Sequence, residues 1–363
     1  MLLRDILAAL DRIAPLRHAE SWDNVGLIAG DPAATVSRVL LTIDCTSAVF
    51  DEARREACEL VVAYHPPLFE AIKSVSAQSL IHRAIRDGIA LYSPHTALDV
   101  AEGGTNDMLA DVLGLKERSP LKLVPPKEST GKLVTFVPEA DVERVAQALF
   151  DAGAGVIGQY TECSFRSPGT GTFRGGEGTN PVVGQAGRRE HAPEIRLEAV
   201  VPLARQQAVI EALRASHPYE EAAFDLLRLV AQPEGAGIGR AGVLPEPVPR
   251  PVLIERIKQG LSVSAVLVSG PIEGDVTRVA MCAGAGRGLL GEALALKTEL
   301  FLTGELPHHD ALRAAAAGMT VVCALHSNSE RAALPRLRDR LLQAAPALDV
   351  RLSAFDRDPF VLR

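Results

Sequence analysis

The segment Leu60-Val61-Val62-Ala63-Tyr64-His65-Pro66-Pro67 indicates the class of fold. Its first four residues, 60–63, are an unbroken apolar run, which is typical of a strand that is buried on both faces, as in a parallel sheet. Similar apolar runs at 39–43 and 89–92 lie on either side of it, and helical periodicity fills the segments between them. This alternation predicts an α/β domain with a mostly parallel sheet that is covered by helices on both faces.

The middle of the chain follows a different pattern. A segment rich in Pro and Gly at 122–131 precedes two strand–helix–strand patterns, which a Gly- and Thr-rich segment at 169–187 separates. Two such units predict a small ferredoxin-like module. The segment between them is predicted to be a loop, and its length indicates that it is functional or packs against another subunit.

The α/β rhythm returns after a second Pro- and Gly-rich segment at 231–250, and a long helix is predicted from about Ser329 to Leu342. The simplest interpretation is one discontinuous α/β domain that a ferredoxin-like module interrupts. Residues 1–125 and 236–363 would form the α/β domain, and residues 126–235 would form the inserted module.

Composition narrows the class of protein. The formal net charge of −7 over 363 residues argues against a nucleic-acid partner. A local basic patch would still be compatible with this net charge. The five cysteines include no pair at CxxC spacing, so neither a disulfide framework nor a thiolate zinc site is predicted. Because segment 2–13 has the pattern of an amphipathic helix and no apolar run is long enough to span a membrane, we expect a cytoplasmic protein.

Three of the predicted strands end in side chains that can bind metals. In open α/β sheets the functional sites lie at the carboxyl ends of the strands, so we expect these side chains to converge. They are His65 after 60–63, His95 and Asp99 after 89–92, and His326 and Glu330 after 320–324.

The spacing of His326 and Glu330 adds to this interpretation. Residues four apart lie on one face of a helix, so both side chains can bind one metal centre. Imidazole together with carboxylate suits zinc, iron, manganese or cobalt. The alternative is that each histidine is structural or solvent-exposed, and the residue pattern by itself leaves both interpretations open.

Two weaker features lie at other strand ends. Gly284 and Gly286 lie between a strand and a helix, the location of a phosphate-binding loop, but Leu289 stands where a GxGxxG fingerprint needs its third glycine. These glycines either bind an anion or form a tight turn. Asp44 ends the strand at 39–43 and either orients a histidine of the site or caps the next helix.

Several long motifs in a fixed order make the chain resemble the NIF-three-like family, whose bacterial members are commonly named GTP cyclohydrolase 1 type 2 homologues. The motifs are Trp22-Asp23-Asn24-Val25-Gly26-Leu27, Tyr64-His65-Pro66-Pro67-Leu68-Phe69, Tyr92-Ser93-Pro94-His95-Thr96-Ala97-Leu98-Asp99, Thr303-Gly304-Glu305 and His326-Ser327-Asn328-Ser329-Glu330. The segments Gly169-Thr170-Gly171-Thr172-Phe173-Arg174 and His217-Pro218-Tyr219-Glu220-Glu221 resemble the insert of the longer members, which is similar to the PII and CutA type of ferredoxin-like fold.

The resemblance implies a centre of two divalent ions, which would be zinc, iron or manganese. By position, one ion would take His65, Asp99 and Glu330, and the other would take His326, with Glu330 as the bridge. Many members have two consecutive histidines, and Tyr64 occupies the first of these positions. Tyrosine is neutral near pH 7 and is a poorer ligand than imidazole, so Tyr64 would be a supporting hydrogen-bond partner or a weak ligand. Either His95 would then be a further ligand or a supporting partner, or the second ion would be bound weakly.

The resemblance also implies a metal-dependent hydrolase that opens the ring of GTP, and assemblies of six chains. No residue of the sequence points to purine recognition, and no catalytic residue is predicted beyond the metal ligands. Two other classes remain open, namely a different metallohydrolase such as a phosphoesterase, and a non-catalytic metal-binding regulator or chaperone. The predicted partner is therefore a nucleotide or another phosphorylated small molecule.

Overall fold

The computed structural model describes residues 1–124, 130–229 and 235–361. The chain divides into two compact units, Met1–Val124 together with Pro233–Arg363, and Pro125–Gln232. The division predicted at 125/126 and 235/236 stays a prediction, and its first boundary lies outside the described residues.

The first part of unit 1 alternates helices and strands, as the apolar runs predict. Its helices are α1 (Leu3–Ile13), α2 (Ser47–Arg55), α3 (Leu80–Asp87), α4 (His95–Val100) and α5 (Thr105–Leu113). Its strands are β1 (Gly26–Ala29), β2 (Arg38–Thr42), β3 (Leu60–Ala63), β4 (Ala90–Ser93), β5 (Lys116–Ser119) and β6 (Lys122–Leu123).

Unit 2 has the order strand, helix, strand, strand, helix, strand. Its elements are β7 (Thr130–Val137), α6 (Val142–Asp151), β8 (Ser164–Arg174), β9 (Arg189–Pro202), α7 (Gln206–Ser216) and β10 (Phe224–Arg228). They form one antiparallel sheet in the order β10-β7-β9-β8.

The second part of unit 1 returns to alternation. Its strands are β11 (Gly237–Ile238), β12 (Arg240–Pro249), β13 (Leu267–Ser269), β14 (Asp275–Ala285), β15 (Leu300–Glu305), β16 (Thr320–Cys323) and β17 (Asp349–Leu352). Its helices are α8 (Arg250–Leu261), α9 (Leu290–Ala295), α10 (His308–Ala316), α11 (His326–Arg331) and α12 (Leu334–Ala344).

Unit 1 contains two main sheets, so the prediction of an α/β fold is confirmed, and the predicted mostly parallel arrangement is found in the first sheet and not in the second. The first sheet, β1-β4-β3-β2-β17, is parallel except at β1. The second, β13-β16-β15-β14-β12-β5, is parallel only within β14, β15 and β16. The antiparallel strands flank the parallel ones, and among them β5 is exposed along its whole length and carries no continuous apolar run.

The two parts of unit 1 exchange strands. β17, from the end of the chain, pairs with β2 in the first sheet, and β5, from the first part, pairs with β12 in the second. The two sheets therefore belong to one body, and the carboxyl ends of β3 and β16 can contribute to one site.

The helix predicted from Ser329 to Leu342 is in fact two helices, α11 and α12. Pro335 lies in the first turn of α12. Proline is favourable there because the first helical N–H groups have no partner within the helix, whereas inside a continuous helix its ring would clash with the preceding turn.

The Gly- and Thr-rich segment predicted as a loop at 169–187 is partly strand. β8 continues through Gly169 and Gly171 to Arg174, and pairs with β9 without a break. Composition suggests a loop here, but the long facing strand supplies partners for the backbone groups of β8. In the described ranges, no helix combines the length and apolar character that crossing a membrane requires.

Candidate metal centre

Three predicted metal ligands meet at the carboxyl ends of strands in unit 1. His65 follows β3, His326 begins α11 after β16, and Glu330 lies one turn further along α11. One ligand atom from each of these side chains lies within 4.8 Å of the others. The Nε2 atom of His65 is 3.2 Å from Glu330 Oε2, and the Nε2 atom of His326 is 3.3 Å from Glu330 Oε1. A carboxylate between two imidazoles is a donor set suited to a divalent transition ion.

A strained backbone residue positions His326. Leu325 has φ 70° and ψ 150°, a region that is essentially restricted to glycine. Such a conformation costs on the order of 1–3 kcal/mol, and it is typical of functional sites where the surrounding structure enforces it. Here it turns the chain sharply from β16 into α11, so His326 and Glu330 face the end of β3.

Carboxylates hold the other nitrogen of each imidazole. Asp44 Oδ1 lies 2.9 Å from His65 Nδ1, and Glu305 Oε1 lies 3.1 Å from His326 Nδ1. This arrangement leaves Nε2 of both rings free of those two carboxylates and within 3.3 Å of a Glu330 oxygen, as in metal sites where a carboxylate orients the ligating histidine.

The structure also decides between the two roles considered for Asp44. Thr46 caps α2, since its side chain accepts a hydrogen bond from the Val49 N–H, and Asp44 contacts His65 instead. Sequence reasoning assigned no role to Glu305. The signal available was its position at the end of strand β15, next to a strand that leads to a ligand.

Charges in the cluster show that Glu330 requires positive neighbours. Burial opposes ionisation of this 2% exposed carboxyl, but the His326 and His65 imidazoles outweigh burial and lower its pKa. Burial likewise disfavours charge on His65, yet Asp44 and Glu330 raise its pKa to about 10. Glu330 is the main cause that raises the pKa of His326 to about 9. In the metal-free chain, protons on the imidazoles therefore supply the positive charge that an ion would bring.

Asp99 and Tyr64 form a buried pair beside the cluster. The Tyr64 hydroxyl donates to Asp99 and lies 3.1 Å from Thr105 Oγ1. Burial, followed by the charge of Glu330, raises the pKa of Asp99 to about 7. Burial and the same carboxylates hold the pKa of Tyr64 well above its usual value, so its hydroxyl stays neutral. Tyr64 thus contacts a predicted ligand, while Asp99 lies outside the trio of His65, His326 and Glu330.

His95 belongs to a group of aromatic side chains beside the site. Its ring centroid is 5.4 Å from that of His65, and Asp23 Oδ1 lies 2.8 Å from its Nδ1. His95 has a positive φ of 29° at the start of α4, a second strained residue at the site. Trp22 and Phe69 border His95 at centroid distances of 6.1 and 6.3 Å.

Two observations show that an ion fits the trio. Glu330 Oε2 is buried and makes no hydrogen bond, although it lies 3.2 Å from His65 Nε2, so the geometry leaves this oxygen without a donor. Gly284 faces the same carboxylate, and a Cβ at this position would come within 2.6 Å of Glu330 Oε1. The absence of a side chain at Gly284, which has φ 63°, therefore keeps the space beside the carboxylate open.

The predicted anion site at Gly284 and Gly286 stays a prediction. The Gly284 N–H donates to Ser329 Oγ at 2.8 Å, so this donor already has a partner. Gly286 is buried against Thr303 at the start of a short 3-10 helix. The close approach of Gly284 to Glu330 gives this glycine a role that the sequence pattern does not suggest.

Comparison with known proteins shows that nearly the whole chain matches one family. The family model described as Duf34/NIF3 (NGG1p interacting factor 3) matches residues 1–359. The GTP cyclohydrolase 1 type 2 homolog of Mycobacterium tuberculosis is 40% identical over 315 residues, which cover 85% of this chain and 83% of that protein. The protein of the same name from Mycobacterium leprae is 37% identical and covers 99% of this chain and 95% of its own length.

Solved structures agree with these relatives. Staphylococcus aureus protein SA1388 matches with a TM-score of 0.79 and 28% identity, over 100% of this chain and 99% of that one. A Bacillus cereus protein related to NIF3 matches with a TM-score of 0.67 and 33% identity, over the same shares of the two chains. The chain therefore belongs to the Duf34/NIF3 family.

Proposed function

We propose that this protein is a divalent-metal-dependent hydrolase of the kind named GTP cyclohydrolase 1 type 2 homolog. The observation that carries the proposal is the buried Glu330 carboxylate between His65 and His326, with one oxygen lacking a hydrogen-bond donor. The names of the relatives state a likeness to an enzyme, so activity on GTP is part of the proposal.

The donor set supports a centre of two ions, which would be zinc, iron or manganese. His65, Asp99 and Glu330 would hold one ion, and His326 would hold the other with Glu330 as the bridge. When bound, such ions supply a Lewis acid and an activated water molecule. Asp44 and Glu305 would fix the two imidazole rings, and Tyr64 would fix Asp99 through its hydroxyl donor.

An aromatic rim beside the site supports a substrate with a planar ring. Trp22 and Phe69 are 59% and 54% exposed, and their ring centroids lie 5.8 Å apart. The neighbours of Trp22 in sequence are anchored, since Asp23 accepts hydrogen bonds from Thr96 and Asn24 donates to the Leu68 carbonyl. An exposed aromatic pair held at the edge of a site can stack on a planar ring such as a nucleobase.

Two further proposals concern the inserted module and the assembly of the chains. We propose that residues 126–235 are a ferredoxin-like module of the PII and CutA type, which the strand order β10-β7-β9-β8 with two interspersed helices supports. We also propose a cytoplasmic assembly of six chains.

The first experiment is elemental analysis of the untagged full chain, followed by assays with GTP in the presence of the metal found. Two ions per chain, together with ring opening of GTP, would support the proposal. Release of phosphate from nucleotides without ring opening would identify a phosphoesterase. Stoichiometric metal with no turnover of any nucleotide would favour a metal-binding regulator or chaperone.

Because Trp22 is the single tryptophan of the chain, quenching of its fluorescence reports nucleotide binding separately from turnover.

A further inference from the structure

A second concave site in unit 1 has a different chemistry from the metal centre. It is a cavity of about 980 Å³ between the end of α1, the segment after α4, and helix α12. Its lining includes three carboxylates and six arginines, which are Arg12, Arg17, Arg118, Arg240, Arg336 and Arg340. None of these arginines belongs to the trio of His65, His326 and Glu330.

One of the six arginines has a structural role. Arg240 is 6% exposed, and its Nε lies 2.5 Å from Asp107 Oδ1. The same guanidinium donates to the carbonyls of Gly237 and Gly239, and Asp107 also accepts the Gly103 N–H. This buried and fully bonded pair is neutral overall and forms part of the cavity wall.

The remaining arginines exceed the carboxylates available to them. Asp111 forms ion pairs with two guanidinium groups, since Arg118 and Arg336 each place a nitrogen 2.5 Å from one of its oxygens. Arg340 donates to the backbone carbonyl of Glu102 at 2.9 Å. Within the described part of the chain, Arg12 and Arg17 are exposed and form no ion pair. The cavity therefore carries a surplus of positive charge in a chain whose net charge is −7.

Positively charged guanidinium groups lie close together in this cavity. Burial, and then the neighbouring charge of Arg336, lower the pKa of Arg340 below that of a free guanidinium. Like charges gathered in a concavity repel each other and concentrate anions from solution. The planar guanidinium fork matches the oxygens of phosphate in a bidentate manner, and this makes arginine the preferred residue for phosphate recognition.

We propose that this cavity binds a small polyphosphorylated anion at a site separate from the metal centre. Its volume is within the range of small-molecule sites, roughly 300–1,000 Å³. No Phe, Tyr or Trp is among the described residues that line it, so the ligand is recognised by its charge and not by stacking of a ring. The negative net charge of the chain favours a small ligand over a nucleic acid.

The test is calorimetric titration of the full chain with inorganic tripolyphosphate at low ionic strength. We expect saturable binding of one anion per chain. The variants Arg340→Gln and Arg17→Gln should each weaken binding by about tenfold, the effect of losing one hydrogen-bonded charge contact. Arg17 has no ion-pair partner among the described residues, so its replacement should leave the fold intact even if Arg340→Gln destabilises the chain.

The matched control is Arg338→Gln, because Arg338 lies on the same helix α12, pairs with Asp339 and does not line the cavity. An equal loss of affinity in this control would show general attraction by surface charge and would overturn the proposal, as would the absence of saturable binding.

Tripolyphosphate also binds metal ions, so the titration is repeated on a Glu330→Gln background. Binding that persists there, while Arg340→Gln and Arg17→Gln still weaken it, supports the cavity. Binding that disappears with Glu330 but is insensitive to these arginines places the anion at the metal centre and overturns the proposal. A single-stranded oligonucleotide that displaces tripolyphosphate at a lower concentration would overturn it in favour of nucleic acid.

Discussion

His65 in unit 1 and His217 in unit 2 are both largely buried histidines, but their ring nitrogens face different partners. His65 faces carboxylates on both sides, with Asp44 at Nδ1 and Glu330 at Nε2. His217 faces backbone groups, since its Nδ1 accepts the Tyr219 N–H at 3.1 Å and its Nε2 donates to the Phe136 carbonyl at 3.0 Å.

The difference appears in the protonation of the two rings. Burial disfavours charge on both, but the carboxylates around His65 outweigh it and raise the pKa to about 10. Burial is the largest influence on His217 and lowers its pKa. His65, a predicted metal ligand, therefore faces negative charge that favours either a proton on the ring or a cation beside it, whereas both nitrogens of His217 are used by the backbone.

The largest effect is expected from Glu330→Gln. The neutral amide keeps the shape of the side chain but removes the charge that attracts cations. Losing a hydrogen-bond partner of a ligand lowers metal affinity by about 10–100-fold, so we expect the change in the predicted ligand itself to lower it by more than about 100-fold. Competition with a chelator measures this loss. His217→Gln is the control and should keep its metal, and an unchanged affinity in Glu330→Gln would remove the distinction between the two histidines.

The next effect concerns the carboxylate behind His65. Asp44→Asn should weaken metal binding by about 10–100-fold, because the ring loses the partner that orients it and increases its basicity. Asp51→Asn is a suitable control, since Asp51 lies on the neighbouring helix α2 and pairs with Arg83 at the surface. Equal affinities of the two variants would show that Asp44 does not support the ligand.

A smaller change is expected from Tyr64→His. The Tyr64 hydroxyl is neutral and donates to Asp99, so it offers a poor ligand, whereas a neutral imidazole would offer a lone pair beside the same carboxylate. Imidazole is smaller than phenol and fits the buried position. We expect the second ion to be bound more fully, as elemental analysis would show, and an unchanged metal content would indicate that position 64 does not face the ion.

The smallest effect is expected at His217. Its pKa is lowered in the folded chain, so below the unfolded pKa of about 6.5 the unfolded state takes up protons that the folded state does not. The contribution of His217 to stability is therefore complete above that pH and is lost as the pH falls toward the folded pKa. Denaturant titrations at pH 7.5 and 5.5 should show a steeper loss for the wild type than for His217→Gln, since the other titrating groups are common to both.

Nearby charges set the size of this effect. Glu194 and Asp141 favour protonation of His217, and Arg144 opposes it. If the two proteins lose stability equally on acidification, desolvation does not govern this histidine and the contrast with His65 rests on contacts alone.

The sequence by itself determined the local features of this protein. The apolar run at β3, the spacing of His326 and Glu330 and the interrupted alternation of strands and helices follow from side-chain periodicity and size, which act within one element. The long family motifs extend the same information to the residues predicted as metal ligands.

Only the tertiary structure decided which distant residues meet. Glu305 holds His326, Asp44 contacts His65 while Thr46 caps the helix, and β5 and β17 exchange between the two sheets of unit 1. The arginines of the cavity come from positions as far apart as 12 and 340, and no local pattern marks them. The physical reason is that strand order and helix packing bring these side chains together, and those depend on the burial of the whole chain and not on any one segment.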